Sequence, residues 1–390
     1  MKKILAFWLL LITCITASGC YKGNVLLILN WGEYINDDVV AMFEEEYGCE
    51  VIISIADSNE LFYSKVMSGT TAYDLVVPSD YMIQKMIEKN LLQEIDFTRL
   101  ENYDCQGPKY DALMDGIKGI IEYMEDEVIE GYKKHQVPYF WGTFGLMYNK
   151  RVAGLEEVVT TKGWEALFDR SLLPAGTKTG MYDVSRYSYA AAMFSLGLSP
   201  NTYSEDQARK ASEQLIKANF DEWGTDMLKK GISANNLDLA FLYTGDFLDT
   251  LYIKLEDGVA MDEMTFDIFV PDDTIAFMDG FVIPKKARHL DLTYKFLDFM
   301  MRPEVAYENA SVVGYATPLQ EAYDMITSYV DDEENEDNDW LVSWRDANLM
   351  YYPLPDPLAT KKFKGEPLAN FDQGILDKIN TLVNNAKVGR

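Results

Sequence analysis

Histidine is almost missing from this 390-residue chain, with only His135 and His289. That scarcity argues against imidazole-based acid–base chemistry and against a zinc site with its usual ligand set. No Gly-x-Ser-x-Gly elbow and no His-Glu-x-x-His pair occurs either, so the common hydrolase signatures are absent. Cysteine is nearly as rare. Of four, Cys14 and Cys20 fall within the first twenty residues, which leaves Cys49 and Cys105. Their spacing suggests no metal, and the count allows at most one disulfide. Positive charge is short as well: 35 basic residues face 63 acidic ones, a formal net charge of −28. Such a field repels nucleic acid and anionic lipid and favours cationic partners, although solubility alone accounts for it equally well. Beyond the first fifteen residues no apolar run is long enough to span a bilayer. The expectation is a chain without metal, cofactor or nucleic-acid partner.

What the chain does have begins at its N-terminus. Lys2 and Lys3 precede an apolar run from Ile4 to Ile15 that closes on Ala17-Ser18-Gly19-Cys20. A run shorter than the ~20 residues of a spanning helix, ending in small residues, reads as a secretion leader over 1–19. The ending resembles the lipobox of bacterial lipoproteins, with Ala17 where Leu is usual. That resemblance implies a lipidated Cys20, a tether over 20–23 and an extracytoplasmic chain anchored to the cell membrane. The alternative is an ordinary leader with an incidental cysteine.

About 370 mature residues exceed one core and fit two domains of roughly 100 to 200 residues each. Val25-Leu26-Leu27-Ile28-Leu29 reads as a strand buried on both faces, as in a parallel sheet. A helix follows, capped by Asn36, with Val39, Val40, Phe43 and Tyr47 on one face and Gly48 at its end. Val51 to Ile55 is a second strand. The grammar recurs with Ser58 before a helical run, Asp74 to Val77 as a strand, and Ser79 or Asp80 capping the next helix. The fold class is α/β with mainly parallel sheets flanked by helices. Ligands of such sheets bind at the carboxyl ends of the strands. Those ends carry Asn30-Trp31-Gly32-Glu33-Tyr34, Asp57-Ser58-Asn59-Glu60 and Pro78-Ser79-Asp80-Tyr81. Aromatic rings and carboxylates therefore converge on one edge.

A second unit starts near Pro138, where Tyr139-Phe140-Trp141-Gly142 leads into an apolar run from Thr143 to Tyr148. Asp183 or Ser185 caps a helix bearing Tyr187, Ala190, Ala191 and Phe194, and Leu237 to Tyr243 reads as a buried strand. Phe266 to Val270 and Ile275 to Pro284 continue the sheet, Pro303 opens a helix, and Gly314 to Pro318 breaks it. Asp331 to Asp339 is almost wholly acidic and reads as a solvated loop.

Taken in order, the Asn30 to Tyr34 opening, Ser58-Asn59-Glu60, Tyr73 to Ser79, Val137-Pro138-Tyr139 with Trp141-Gly142, Phe277-Met278-Asp279, and Gly314-Tyr315 with Thr317-Pro318 resemble the spermidine/putrescine-binding branch of ABC-importer solute-binding proteins. The resemblance implies a two-lobe periplasmic-binding-protein-like fold with a ligand cleft between lobes. Lobe 1 would comprise 24–137 plus 280–318, and lobe 2 would comprise 138–279 plus 319–390. It also implies a receptor that delivers a polyamine to a membrane permease and performs no chemistry.

A polyamine is a methylene chain carrying ammonium groups, so its site needs aromatic walls and carboxylates. Position by position, Trp31 and Tyr34 resemble the first wall, Ser79 and Tyr81 the polar contacts, and Tyr243 stands where the family usually has Trp. Asp246 resembles the carboxylate of putrescine-preferring members, Phe277 and Asp279 their ring-and-carboxylate pair, and Tyr315 a further ring. Glu33 and Asp80 lie beside matched positions. Where the helix after Asp183 usually presents an acidic residue, this sequence has Arg186 and Tyr187, which implies preference for a short diamine over a triamine.

Other roles stay open: Asp246 and Ser79 as helix caps, Asp279 in a structural ion pair, Tyr187 in the core. Competing functions are a same-fold receptor for another organic cation or an amino acid, and, more distantly, a hydrolase using Asp246 with Asp279. The three pocket loops lack Arg and Lys, which disfavours an anionic ligand. Metabolic labelling with a clickable fatty acid tests the N-terminal reading: label on the wild-type chain and none on Cys20→Ser is expected, and an unlabelled wild-type chain would remove the anchor.

Overall fold

The computed structural model describes residues 24–330 and 365–389; the leader, the tether with Cys20, and the acidic run Asp331–Asp339 lie outside the described residues. Val25–Asn30 (β1) is apolar throughout its first five positions because it is a central strand. Glu50–Ile55 (β2) pairs with it in parallel on one side and Leu75–Val76 (β3) on the other. The intervening helices begin and end as their caps dictate. Asn36 accepts from the backbone N–H of Asp38 at the start of Asp37–Tyr47, and Gly48, at φ 61°, closes that helix in the left-handed region that glycine adopts freely. Ser58 caps Asn59–Ser68 in the same way.

Ser79 precedes the helix Asp80–Glu88 but makes no capping bond with its side chain. It is instead locked to Asn59, whose amide donates to the Ser79 hydroxyl and accepts from its backbone N–H, each at 3.0 Å.

The rest of the sheet structure comes from Val137–Asn149 (β4), Thr179–Tyr182 (β5), Glu222–Gly224 (β6), Leu239–Tyr243 (β7), Phe266–Phe269 (β8) and Ala276–Phe281 (β9). The larger sheet runs β6-β5-β7-β4-β8. Pairing is parallel for β5 with β6 and β7, as the sequence suggests, but antiparallel wherever β4 takes part. A continuous apolar run reveals burial and not direction, so this mixture is invisible in the sequence.

All thirteen residues of β4 are buried. Its first half pairs with β9 from Val137–Phe281 to Thr143–Ala276, and its second half with β7 and β8. The chain from β3 to Ser79 in turn bridges β9 and the residue that follows it, at Val76–Val282 and Ser79–Asp279. Two antiparallel strands thus carry the chain between the two sheets.

The helix Gln373–Lys387 packs on Ser185–Ser195 and Glu205–Ala218. Val184, not Asp183 or Ser185, holds the cap position of the former helix, and Asp183 pairs with Lys387 instead. Cys49 and Cys105 are free thiols, so the one disulfide that the count allowed is not formed. Among the described residues no helix is long and apolar enough to cross a membrane.

Asp74, fully buried, fixes the connection after β9 to the first sheet. Its carboxylate accepts from the backbone N–H of Leu27 at 3.0 Å and of Arg288 and His289 at 2.9 Å each. Stranding these donors makes Asp74→Ala costly, by about 3 kcal/mol or more, and urea unfolding should show the midpoint falling accordingly.

Candidate functional site

The loops after β1, β2 and β3 face the end of β7, the middle of β9 and Tyr315 across a cleft of about 490 Å³. Trp31, Glu33, Tyr34, Tyr81, Tyr243, Asp246, Phe277, Asp279 and Tyr315 all line it. Residues as far apart in the chain as Trp31 and Tyr315 are thus brought together by the fold.

The rings form a connected wall. Tyr34 meets Tyr315 edge-on with centroids 4.9 Å apart, Tyr315 meets Phe277 at 6.3 Å, and Phe277 meets Tyr243 at 5.0 Å. Trp31 donates its indole N–H to the carbonyl of Val77 at 2.8 Å and rests on Phe62. Its polar edge is therefore engaged, and what it adds to the wall is ring surface. Gly245 is needed for the same wall: a Cβ there would sit 2.2 Å from the Tyr315 ring. Glu33 has φ 52°, a left-handed backbone uncommon outside glycine, which turns the chain sharply at the cleft mouth.

Asp279 lies in an otherwise uncharged strand and is buried. The Tyr34 hydroxyl donates to its Oδ2 at 2.7 Å; Oδ1, itself out of solvent reach, makes no hydrogen bond of normal geometry among the described residues, although the Ser79 hydroxyl is near enough to act on the carboxylate. Burial pushes its pKa up to about 6, against the lowering influence of the Ser79 and Tyr34 hydroxyls. Tyr34 is held in turn by Tyr139, whose hydroxyl donates to the Tyr34 carbonyl at 2.6 Å and accepts from Asn309 at 3.0 Å. Burial keeps the phenols of Tyr34, Tyr81, Tyr187 and Tyr243 protonated well beyond the usual tyrosine range.

Asp246 is the second buried carboxylate of the cleft, and burial raises its pKa to about 6 despite the ammonium of Lys229. It lies in the first turn of Thr244–Glu256, with Tyr243 at the cap position, so it does not cap that helix.

Two of the expected residues stand apart from the lining. Ser79 and Asp80 do not line the cleft. Asp80 turns its carboxylate inward to the backbone N–H groups of Tyr81 at 2.6 Å and Met278 at 3.4 Å, where burial raises its pKa well above the carboxylate range. Ser79 precedes and Asp80 opens the helix Asp80–Glu88, and the residue of that segment that lines the cleft is Tyr81.

The sequence reading missed Tyr182, Asp226, Lys229, Lys230 and Asp249, all of which line the cleft, and placed Tyr187 in the core. Tyr187 is both buried and cleft-lining, and its hydroxyl accepts from that of Tyr243 at 3.0 Å. Asp249 stands one helical turn after Asp246, a spacing that could have revealed it. Lys229 and Lys230 come from the helix Asp226–Ser233, outside the three loops that appeared free of cations. In all, seven carboxylates and two lysines line the cleft.

The sequence pattern described as bacterial extracellular solute-binding protein matches residues 38–337, more than three quarters of the chain. The chain belongs to that family. Among the relatives of this solute-binding protein, the putrescine-binding periplasmic protein SpuD of Pseudomonas aeruginosa is 27% identical over 310 residues, covering 76% of this chain and 80% of that one. The spermidine/putrescine-binding periplasmic protein of Escherichia coli is 25% identical over 348 residues, covering 86% and 92%. A solved structure described as a putative spermidine/putrescine ABC transporter from Listeria monocytogenes superposes with a TM-score of 0.73 at 29% identity, covering 94% of this chain and 100% of that chain. The two-lobe α/β architecture expected of the solute-binding protein is thereby shown, and the family is one of receptors rather than enzymes.

The raised pKa of Asp279 makes a prediction about stability. Its unfolded value is near 3.8 and its folded value about 6, so its contribution is most favourable below pH 4 and is lost as pH rises through 6. Above pH 6 the buried charge costs up to about 3 kcal/mol. In the ligand-free solute-binding protein, Asp279→Asn should therefore raise the denaturation midpoint at pH 7.5 and leave it nearly unchanged at pH 4.

Proposed function

We propose that this chain is an extracytoplasmic receptor that captures a polyamine, with a short diamine such as putrescine preferred, and delivers it unaltered to an ABC permease. Lipid on Cys20 tethers it to the membrane. The halves 24–137 plus 280–318 and 138–279 plus 319–390 act as lobes that close on the guest. One observation carries this reading: a buried carboxylate, Asp279, lines a ring-walled cleft with one oxygen engaged by Tyr34, the other without a hydrogen bond of normal geometry, and no cation of the chain's own paired with it among the described residues.

An unpaired buried charge is costly unless a counter-charge arrives, and an alkylammonium supplies both the charge and hydrogen-bond donors. The rings flank the methylene chain, and each cation seated over a ring adds ~0.5 to 2 kcal/mol. The relatives named for putrescine and spermidine support the same ligand class. An excess of carboxylates around the cleft attracts a cation and disfavours an anion.

Calorimetry with putrescine tests the proposal. Binding at pH 7.5 should weaken by about 2–5 kcal/mol in Asp279→Asn. In the wild type it should weaken as pH falls through 6, because the carboxylate of the empty cleft protonates there. An unchanged dissociation constant in the variant would move Asp279 out of the site, and a wild-type chain that binds no polyamine would end the reading.

A further inference from the structure

Only two of the seven cleft carboxylates, Asp279 and Asp246, are buried; Glu33, Asp57, Glu60 and Asp226 are exposed at the rim and Asp249 is half-buried. These two deep groups are not equivalent. Among the described residues Asp279 has only hydroxyls beside it and no ion-pair partner, whereas Asp246 is already matched by a cation belonging to the chain itself. The Lys229 ammonium donates to Asp246 Oδ1 at 3.1 Å and to Asp249 Oδ2 at 2.8 Å. Its side chain is 13% exposed and that of Asp246 11%, so the pair is largely withdrawn from solvent. Burial works to lower the lysine pKa, but the two carboxylates outweigh it and raise the value, so the ammonium stays charged.

We propose that Lys229 is a specificity-determining residue, a tethered ammonium that fills the second deep cation position of the cleft and leaves Asp279 as the single deep position open to a guest. This deepens the polyamine reading and rests on it. The position is built to take an ammonium: Asp246 and Asp249 stand three residues apart on Thr244–Glu256, with oxygens converging on one nitrogen. It adjoins the ring wall, since the Tyr315 ring packs on the backbone of Gly245, the residue before Asp246. A guest therefore has one ammonium seated deeply, and any further ammonium must either lie toward the rim or compete with Lys229. Because the competitor is covalently attached, its effective concentration is high and each added charge on the guest gains little. The cleft thus selects against highly charged amines by occupancy rather than by size.

Calorimetry at pH 8 with butylamine, putrescine and spermidine tests this, using the full mature chain and variants shown by thermal unfolding to be folded. Removing the tethered cation in Lys229→Gln should tighten putrescine or spermidine at least tenfold and leave butylamine within threefold, because only an amine with a second ammonium can use the vacated position. Lys229→Arg should keep the wild-type ranking. If Lys229→Gln does not fold, Lys229→Gln with Asp249→Asn removes one charge of each sign, leaves Asp246 open, and should give the same gain. Unchanged or uniformly weakened binding of the diamine and triamine in a folded variant would overturn the inference while leaving the polyamine reading intact. A wild-type chain that binds none of the three amines would overturn both.

Discussion

The Asp279 carboxylate sits in β9 among Ala276, Phe277, Met278, Gly280 and Phe281, a strand that joins the two sheets. Desolvating an ion there opposes folding, and neighbouring features limit the penalty without removing it. Tyr34 supplies one donor, and the Tyr139–Asn309 pair fixes Tyr34 through its carbonyl. The charge is left half-satisfied at the place where the strand meets the cleft. Stability forgone in the empty state becomes available when a counter-charge enters, which is how a receptor couples a folding cost to ligand affinity.

The same strands make the cleft a precise shape. Since β4 is buried along its whole length and β9 pairs with its first half, the floor of the cleft is hydrogen-bonded sheet, while the side walls are loops and helix starts. Contacts from the floor, Phe277 and Asp279, are positioned by register. Contacts from the walls, such as Trp31 and Tyr81, depend on local anchors like the Trp31 bond to Val77. Rigid scaffold and loop-borne side chains divide the work of holding and sampling a guest.

Much of this was legible in the sequence, for identifiable reasons. Strand β1 read as buried because a central parallel strand has no polar face, and Asp279 stood out because a carboxylate interrupts an apolar run. The helix caps at Asn36 and Ser58 follow from local geometry. Direction was not legible, so the antiparallel pairings of β4 were missed. Facing was not legible either: Ser79 and Asp80 adjoin a cleft residue in sequence, yet their side chains bond Asn59 and the backbone of Tyr81 and Met278 and are not part of the lining. Lys229 was hidden because its role depends on a helix packing near Asp246, seventeen residues along the chain and on another element.

The crowd of buried tyrosines in the cleft bears on the conditions under which capture operates. Burial holds the phenols of Tyr34, Tyr81, Tyr187 and Tyr243 neutral far into alkali, so they add no negative charge and no titration of their own near neutrality. In alkaline surroundings these rings stay neutral, and for the proposed polyamine guest the limit on retention passes to the guest itself, since an alkylammonium resembling a lysine side chain sheds its proton near pH 10. The alkaline edge of the working range is then a property of the cargo, while the acidic edge belongs to the protein.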